Sequence, residues 1–257
     1  MRIYVCIKHV PDTAANIRPE GQASFDEKVK YIINPYDEYA LEEALRIRGQ
    51  TDDAEVVAIT VGRETAQATL RSALAMGADR GILVKTEEYF VDSALTARLL
   101  KGVMEREGSP DLVFMGKQSV DTEGMQTPYR LAALLDMPLV VDVVSFSLDG
   151  GKATVERESE AGMREILEMT LPCVIGAAKG LNRPRCPTLP DVMKAKKKEL
   201  KILTPADLMV PAGGPLMDVV ALTAVADRAR GRVLSDTPEV MVAELIRLLR
   251  EEAKVIT

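Results

Sequence analysis

Histidine occurs once in the 257 residues, as His9, which removes any basis for a histidine-centred catalytic triad or a multi-histidine metal centre. Cysteine is nearly as scarce. Cys6, Cys173 and Cys186 are too few and too scattered for a disulfide framework or a zinc site, and their odd number argues the same way. Cys6 and Cys173 read as buried thiols. No apolar run reaches the roughly 18 residues that a bilayer span needs. The opening MRIYVCIKHV reads as a first strand rather than a cleavable signal, so a soluble, cytoplasmic protein is expected. G-x-x-x-x-G-K-[ST] is missing, and no G-x-G-x-x-G follows the first strand, which takes the main support from kinase, ATPase and dinucleotide-dehydrogenase readings. A formal charge of −6 argues against general nucleic-acid binding.

What is present is a regular alternation of apolar strands and amphipathic helices, with 47% hydrophobic residues to build a core. Strands are expected at Arg2 to Lys8, Glu55 to Val61, Gly81 to Val84 and Asp111 to Met115. Helices fall between them, at Tyr36 to Gly49, Glu64 to Met76 and Val91 to Glu107, with Gly77 and Gly108 as stops. Farther on, Val143 to Leu148 and Ala153 to Glu158 make a hairpin around Asp149-Gly150-Gly151, and Arg164 to Thr170 and Cys173 to Ala178 read as two more strands. The predicted class is α/β: a mainly parallel open sheet with helices on both faces, Rossmann-like, plus a β-hairpin and an extended C-terminal arm. The expected division is an α/β domain over 1–184, a Pro-punctuated loop and basic helix over 185–198, and an arm with a final helix over 199–257. A short helix is expected from about Asp191, and a last one from Pro238 to Lys254. A long arm with little packing of its own suits the embrace of another subunit.

The segment from Leu112 to Pro128 is the most informative. It runs from an apolar strand through a Gly-bearing polar loop into a helix start, with Thr127 as the expected N-cap and Pro128 in the first turn. A helix N-terminus attracts anions. An ordinary strand-to-helix connection with nothing bound explains the spacing equally well.

Several blocks carry a resemblance: VCIKHVPDT near the start, INPYDEYALEEALRI at 33 to 47, ALAMGADRGILV at 73 to 84, GKQSVDTEGMQT at 116 to 127, VERESEAG at 155 to 162 and GLNRPRCPTLPDVMKAKKK at 180 to 198. In these the chain resembles the beta subunit of electron transfer flavoprotein. The resemblance implies a heterodimer with an alpha subunit that holds most of the site for a redox-active FAD. It further implies a nucleotide in the beta chain, AMP in conventional members or a second FAD in electron-bifurcating ones. Electrons would be accepted from or donated to acyl-CoA or related dehydrogenases, with a quinone oxidoreductase or another acceptor as the further partner and the subunit acting as a carrier component rather than an enzyme.

Carried over by the resemblance, the nucleotide contacts are Cys6, the group Asn34, Pro35, Tyr36 and Asp37, and Val61. They continue along Asp121, Thr122, Glu123, Gly124, Met125 and Gln126, then Thr127, Pro128, Tyr129, Arg130, Leu131 and Ala132. Asn34 can pair with an adenine or ribose, or cap the helix that follows it. Gln126 and Thr127 are the expected phosphate contacts. Pro128 stands where many members have Gly, and Thr122 to Met125 match neither the conventional sequence nor the run common in bifurcating relatives. The partner-recognition residues implied are Thr188, Leu189 and Pro190, with the leucine anchoring in a dehydrogenase. The nearby Lys194, Lys196, Lys197 and Lys198 read as a solvated face or as steering charges for an acidic partner. Arg164 and Glu165 fall in the strand pair that faces the alpha subunit in the family. A nucleotide-processing enzyme on the same fold is the rival reading, and no nucleophile with a positioned base supports it.

Overall fold

The first strand, β1 (Arg2–Cys6), is apolar on both faces. Ile3 and Val5 pack into one buried cluster, Tyr4 and Cys6 into another, as a strand with helices on either side requires. In the computed structural model, which describes residues 1–210, 214–224 and 231–256, the chain next makes four short strands. These are β2 (His9–Pro11), β3 (Pro19–Glu20), β4 (Ser24–Phe25) and β5 (Tyr31–Ile33), β2 pairing with β5 and β3 with β4. Three β-α-β units follow: α1 (Pro35–Arg48), β6 (Glu55–Gly62), α2 (Gln67–Met76), β7 (Arg80–Lys85), α3 (Ser93–Glu107) and β8 (Leu112–Gly116). After them come α4 (Thr127–Leu135), β9 (Leu139–Asp149), β10 (Lys152–Glu158), β11 (Arg164–Thr170), β12 (Cys173–Ala177), α5 (Leu189–Ala195), β13 (Leu200–Leu203) and α6 (Pro238–Glu251).

Nine strands form one sheet in the order β11-β10-β9-β12-β8-β1-β6-β7-β13. Every neighbouring pair from β9 through β13 is parallel, and β10 and β11 extend one edge antiparallel. Helices α1 and α2 cover the face of Ile3 and Val5, α3 and α4 that of Tyr4 and Cys6. The α/β class, the two-faced helical cover and the hairpin agree with the sequence reading. The hairpin turn needs Gly150 (φ 52°) and Gly151 (φ 80°), a left-handed pair that matches strand twist. Because β6 and β7 lie on one side of β1 and β8 on the other, the order reverses between β1 and β8, which opens a crevice at their carboxyl ends.

Some boundaries differ from expectation. β1 stops at Cys6 rather than Lys8, because the chain turns there toward β2. Thr127 is the first residue of α4, not its cap; Gln126 holds the cap position without a side-chain cap bond. α5 starts at Leu189 rather than near Asp191 because Asp191 closes a capping box back onto Thr188, and it ends before Lys196. The segment expected to begin the arm instead supplies β13, which pairs with β7; four residues are too short for their periodicity to announce a strand. One compact unit runs Met1–Leu222 and a second Thr223–Thr257. The second contains α6, none of whose residues is buried. The arm positions 211–213 and 225–230 lie outside the described residues. Among the described residues no helix is long and apolar enough to cross a membrane.

Candidate functional site

A cleft of about 1300 Å³ opens where β1, β6 and β8 end, lined at its base by Cys6, Val61 and Met115. Asp37, in the first turn of α1, builds this edge. Its carboxylate accepts from the Lys8 N–H at 2.7 Å and from the Gly116 N–H at 2.8 Å, tying together the chain segments that leave β1 and β8. Burial pushes its pKa up to about 7, against the downward pull of those N–H donors. Gly116 permits the approach: a Cβ there would lie 2.5 Å from Asp37 Oδ1 and 2.6 Å from Tyr36 Cβ. Asn34 is buried, and its amide spans the loop beyond β8, donating to Gln118 O at 2.9 Å and accepting from Val120 N at 3.1 Å. Its side chain therefore makes no cap bond to α1; it clamps the loop from within the cleft lining.

The cleft lining takes in Cys6, Asn34, Asp37 and Val61, and from the long loop Asp121, Thr122, Gly124, Met125, Gln126, Thr127 and Pro128. The remaining carried-over residues lie behind it or to its side. Pro35 and Tyr36 start α1, with the Lys117 ammonium 5.6 Å from the centre of the Tyr36 ring. Leu131 and Ala132 belong to the core under α4. Tyr129 and Arg130 are outside the lining, and Arg130 holds Gln126 Oε1 at 2.9 Å, an oxygen that Ser93 Oγ also approaches at 3.2 Å. Glu123 and Met125 carry left-handed backbones (φ 49° and 53°), which bend the loop around the exposed Gly124. The Cys6 thiol is buried and its pKa pushed far up by desolvation, so it contributes shape rather than reactivity.

Several lining residues escape the sequence reading. Lys8 reaches the loop, its ammonium 2.7 Å from Asp121 Oδ1, 3.2 Å from Ser119 Oγ and 3.3 Å from Thr122 Oγ1. His9 stacks on Tyr31 at 4.2 Å between ring centres, and its Nδ1 lies 2.6 Å from Thr69 Oγ1. Burial lowers its pKa to about 4, which keeps the imidazole neutral. Among the described residues none is a hydrogen-bond partner for the buried His9 Nε2. Phe25, Tyr31, Tyr89 and Phe90 give one wall an aromatic surface. Only the position of Lys8 and His9, just after a first strand at a topological switch point, could have flagged them. Met217, Val219 and Leu222 close another wall, and the stretch that bears them is pinned by the α3 cap Asp92, which accepts from the N–H groups of Leu216 and Met217.

A second feature stands on the face of α1 and α2. Leu189, the first residue of α5, is 77% exposed, with Thr188 before it and Pro190 after it equally open to solvent. Val192 and Met193 extend the apolar surface, and Lys194, Lys196 and Lys197 are exposed beside it. Lys198 stands apart. Its ammonium donates to Leu74 O, Gly77 O and Ala78 O, so it neutralises the carbonyl end of α2.

The family model for the electron transfer flavoprotein domain matches residues 23–208. Among curated proteins, the chain is 40% identical to the mitochondrial electron transfer flavoprotein subunit beta of Arabidopsis thaliana and 36% identical to the subunit beta of Bacillus subtilis, each over the full length of both chains. It is 39% identical to the human subunit beta, over 95% of this chain and 96% of that one.

Proposed function

The chain belongs to the electron transfer flavoprotein family, and within it to the beta subunits; from that premise we propose that it pairs with an alpha subunit, holds an adenine nucleotide in the carboxyl-edge cleft and presents Leu189 to electron-donating dehydrogenases. The cleft at the β1–β8 switch point is the observation that carries the reading. The lining fits an adenylate. Thr127 lies in the N-terminal turn of α4, where N–H groups favour anions, and the His9 Nε2 that no described residue reaches offers one more polar partner, while Lys8 is held in an ion pair with Asp121 of the loop. Pro128 has no N–H, so the phosphate relies on the loop before it.

FAD in the alpha subunit supplies the redox chemistry when bound. This chain's own residues bind, orient and shield. Electrons from an acyl-CoA or related dehydrogenase then pass to a quinone oxidoreductase or another acceptor. AMP in the cleft is the primary reading. A second FAD, as in bifurcating complexes, is the second: a volume above the usual 300–1,000 Å³ of small-ligand pockets and the aromatic wall of Tyr31, Tyr89 and Phe90 favour it. Denaturing the co-expressed heterodimer and quantifying what it releases separates them. About one FAD and one AMP per dimer is expected, and about two FAD with no AMP would replace the first reading by the second. A chain that turns over nucleotides alone, and brings no flavin colour when co-expressed with an alpha subunit, would overturn both.

A further inference from the structure

Between the end of β12 and the start of α5, residues 178–188 form no helix or strand. Ala178 N–H donates to Val143 O at 3.0 Å and Leu181 is buried in the core, and from there on a pair of acidic side chains from the middle of α1 holds the segment. Glu42 is 6% exposed and Glu43 4%, a burial that carboxylates tolerate only when paired. Glu42 receives Arg185 in a two-point fork, Nε to Oε2 at 2.7 Å and Nη2 to Oε1 at 2.8 Å, and accepts the Arg185 backbone N–H at 3.2 Å as well. Glu43 accepts from Asn182 Nδ2 at 2.9 Å, and the same amide nitrogen donates to Tyr39 O at 2.9 Å. Downstream, Arg71 of α2 donates to Ala195 O and Lys198 O, both at 2.8 Å.

The stretch that ends in Leu189 is therefore suspended between two helices, and its upstream fixing depends on a charged fork. A bidentate guanidinium–carboxylate pair sets orientation as well as distance. Without it the loop would sample many conformations, and docking would have to restrict them at the expense of affinity. α1 is itself immobile at this point, because Leu41, Ala44 and Leu45 are buried against the sheet.

We propose that Glu42, acting through Arg185, is a positioning residue for partner docking: the fork holds the loop so that Leu189 projects ready to enter the dehydrogenase, with Glu43 and Asn182 supporting it. The proposal rests on the reading of Leu189 as the docking side chain. Its consequence is that a residue buried on a nucleotide-cleft helix controls recognition at a surface it never touches.

A double-mutant cycle on the intact heterodimer tests this, with an acyl-CoA dehydrogenase and its substrate as electron source and the heterodimer as the varied reactant. Leu189→Ala should raise the KM for the heterodimer about tenfold. Glu42→Gln should raise it about fivefold, with kcat at saturation and flavin content unchanged. Combined with Leu189→Ala, Glu42→Gln should add less than about twofold, because both act on the same contact. Arg185→Lys keeps the charge on the solvent side of the pair but loses the fork, and should raise KM about threefold; it carries the test if Glu42→Gln fails to assemble. Should both clamp variants leave KM unchanged while Leu189→Ala raises it, the clamp is overturned and the docking reading stands. Fully multiplied losses in the double variant would equally overturn the clamp. An unchanged KM in Leu189→Ala would remove the docking reading itself, and the clamp with it.

Discussion

Asp37 and Glu42 sit on the same helix, both buried, and only Glu42 is paired with a side-chain cation as well as a backbone N–H. Asp37 accepts backbone N–H groups from Lys8 and Gly116, next to two adjacent strands of the sheet. Glu42 accepts a guanidinium from a loop that has no regular structure. A carboxylate bound by backbone amides fixes scaffold that cannot move away from it, whereas one bound by a side chain holds a segment that can. The contrast explains why the cleft end of α1 is a matter of stability and its middle a matter of presentation.

The sharpest way to break the contrast is Gly116→Ala. A Cβ 2.5 Å from Asp37 Oδ1 and 3.0 Å from the Tyr36 carbonyl carbon cannot be absorbed by a flexible tip, so α1 must shift. About 3 kcal/mol of destabilisation in urea unfolding is expected, with loss of cleft ligand. A change below about 0.5 kcal/mol would mean that α1 is not fixed there.

Asp37→Asn comes next, at about 2 kcal/mol, because an amide offers one acceptor where two N–H groups converge and leaves one unpaired. Its pH signature has a definite sign. With a folded pKa raised to about 7, the native state holds the proton more tightly than the unfolded chain does, so this group makes stability fall as pH rises from about 4 to 7. His9, held neutral with a pKa near 4, slopes the other way over the acid part of the same window. The difference between wild type and Asp37→Asn isolates the Asp37 slope, since His9 contributes to both. Parallel stability curves for the two proteins across that range would refute the assignment.

The smallest effect lies at the loop. Replacing Lys194, Lys196 and Lys197 by Ala should slow association with a dehydrogenase about threefold at low ionic strength and not at all in high salt, with stability unchanged. A salt-independent loss would point to direct contact instead of steering.

Much of the comparison was legible beforehand. The apolar run of β8, the Gly-Gly turn of the hairpin and the Gly stops after α2 and α3 encode their structure locally, and the resemblance placed Leu189 at the surface where it is found. The cleft was legible in outline only. Asn34 reads in sequence as a cap or a ligand contact, and what that reading misses is its amide's bonds to Gln118 and Val120, residues that neighbour it only because β8 pairs with β1. Lys198 reads as one more solvated lysine until the carbonyl end of α2 is seen beneath it.

Local chemistry along the chain settled the alternation of the main strands and helices and the mainly parallel class, because periodicity, glycine and proline act over a few residues. Folding in three dimensions decided which groups line the cleft and which carboxylate holds which segment. Lys8 meets Asp121 across 113 positions of sequence and Arg185 meets Glu42 across 143. Such partners are set by strand order and by the need to satisfy buried charge, and neither leaves a mark on the residues beside them.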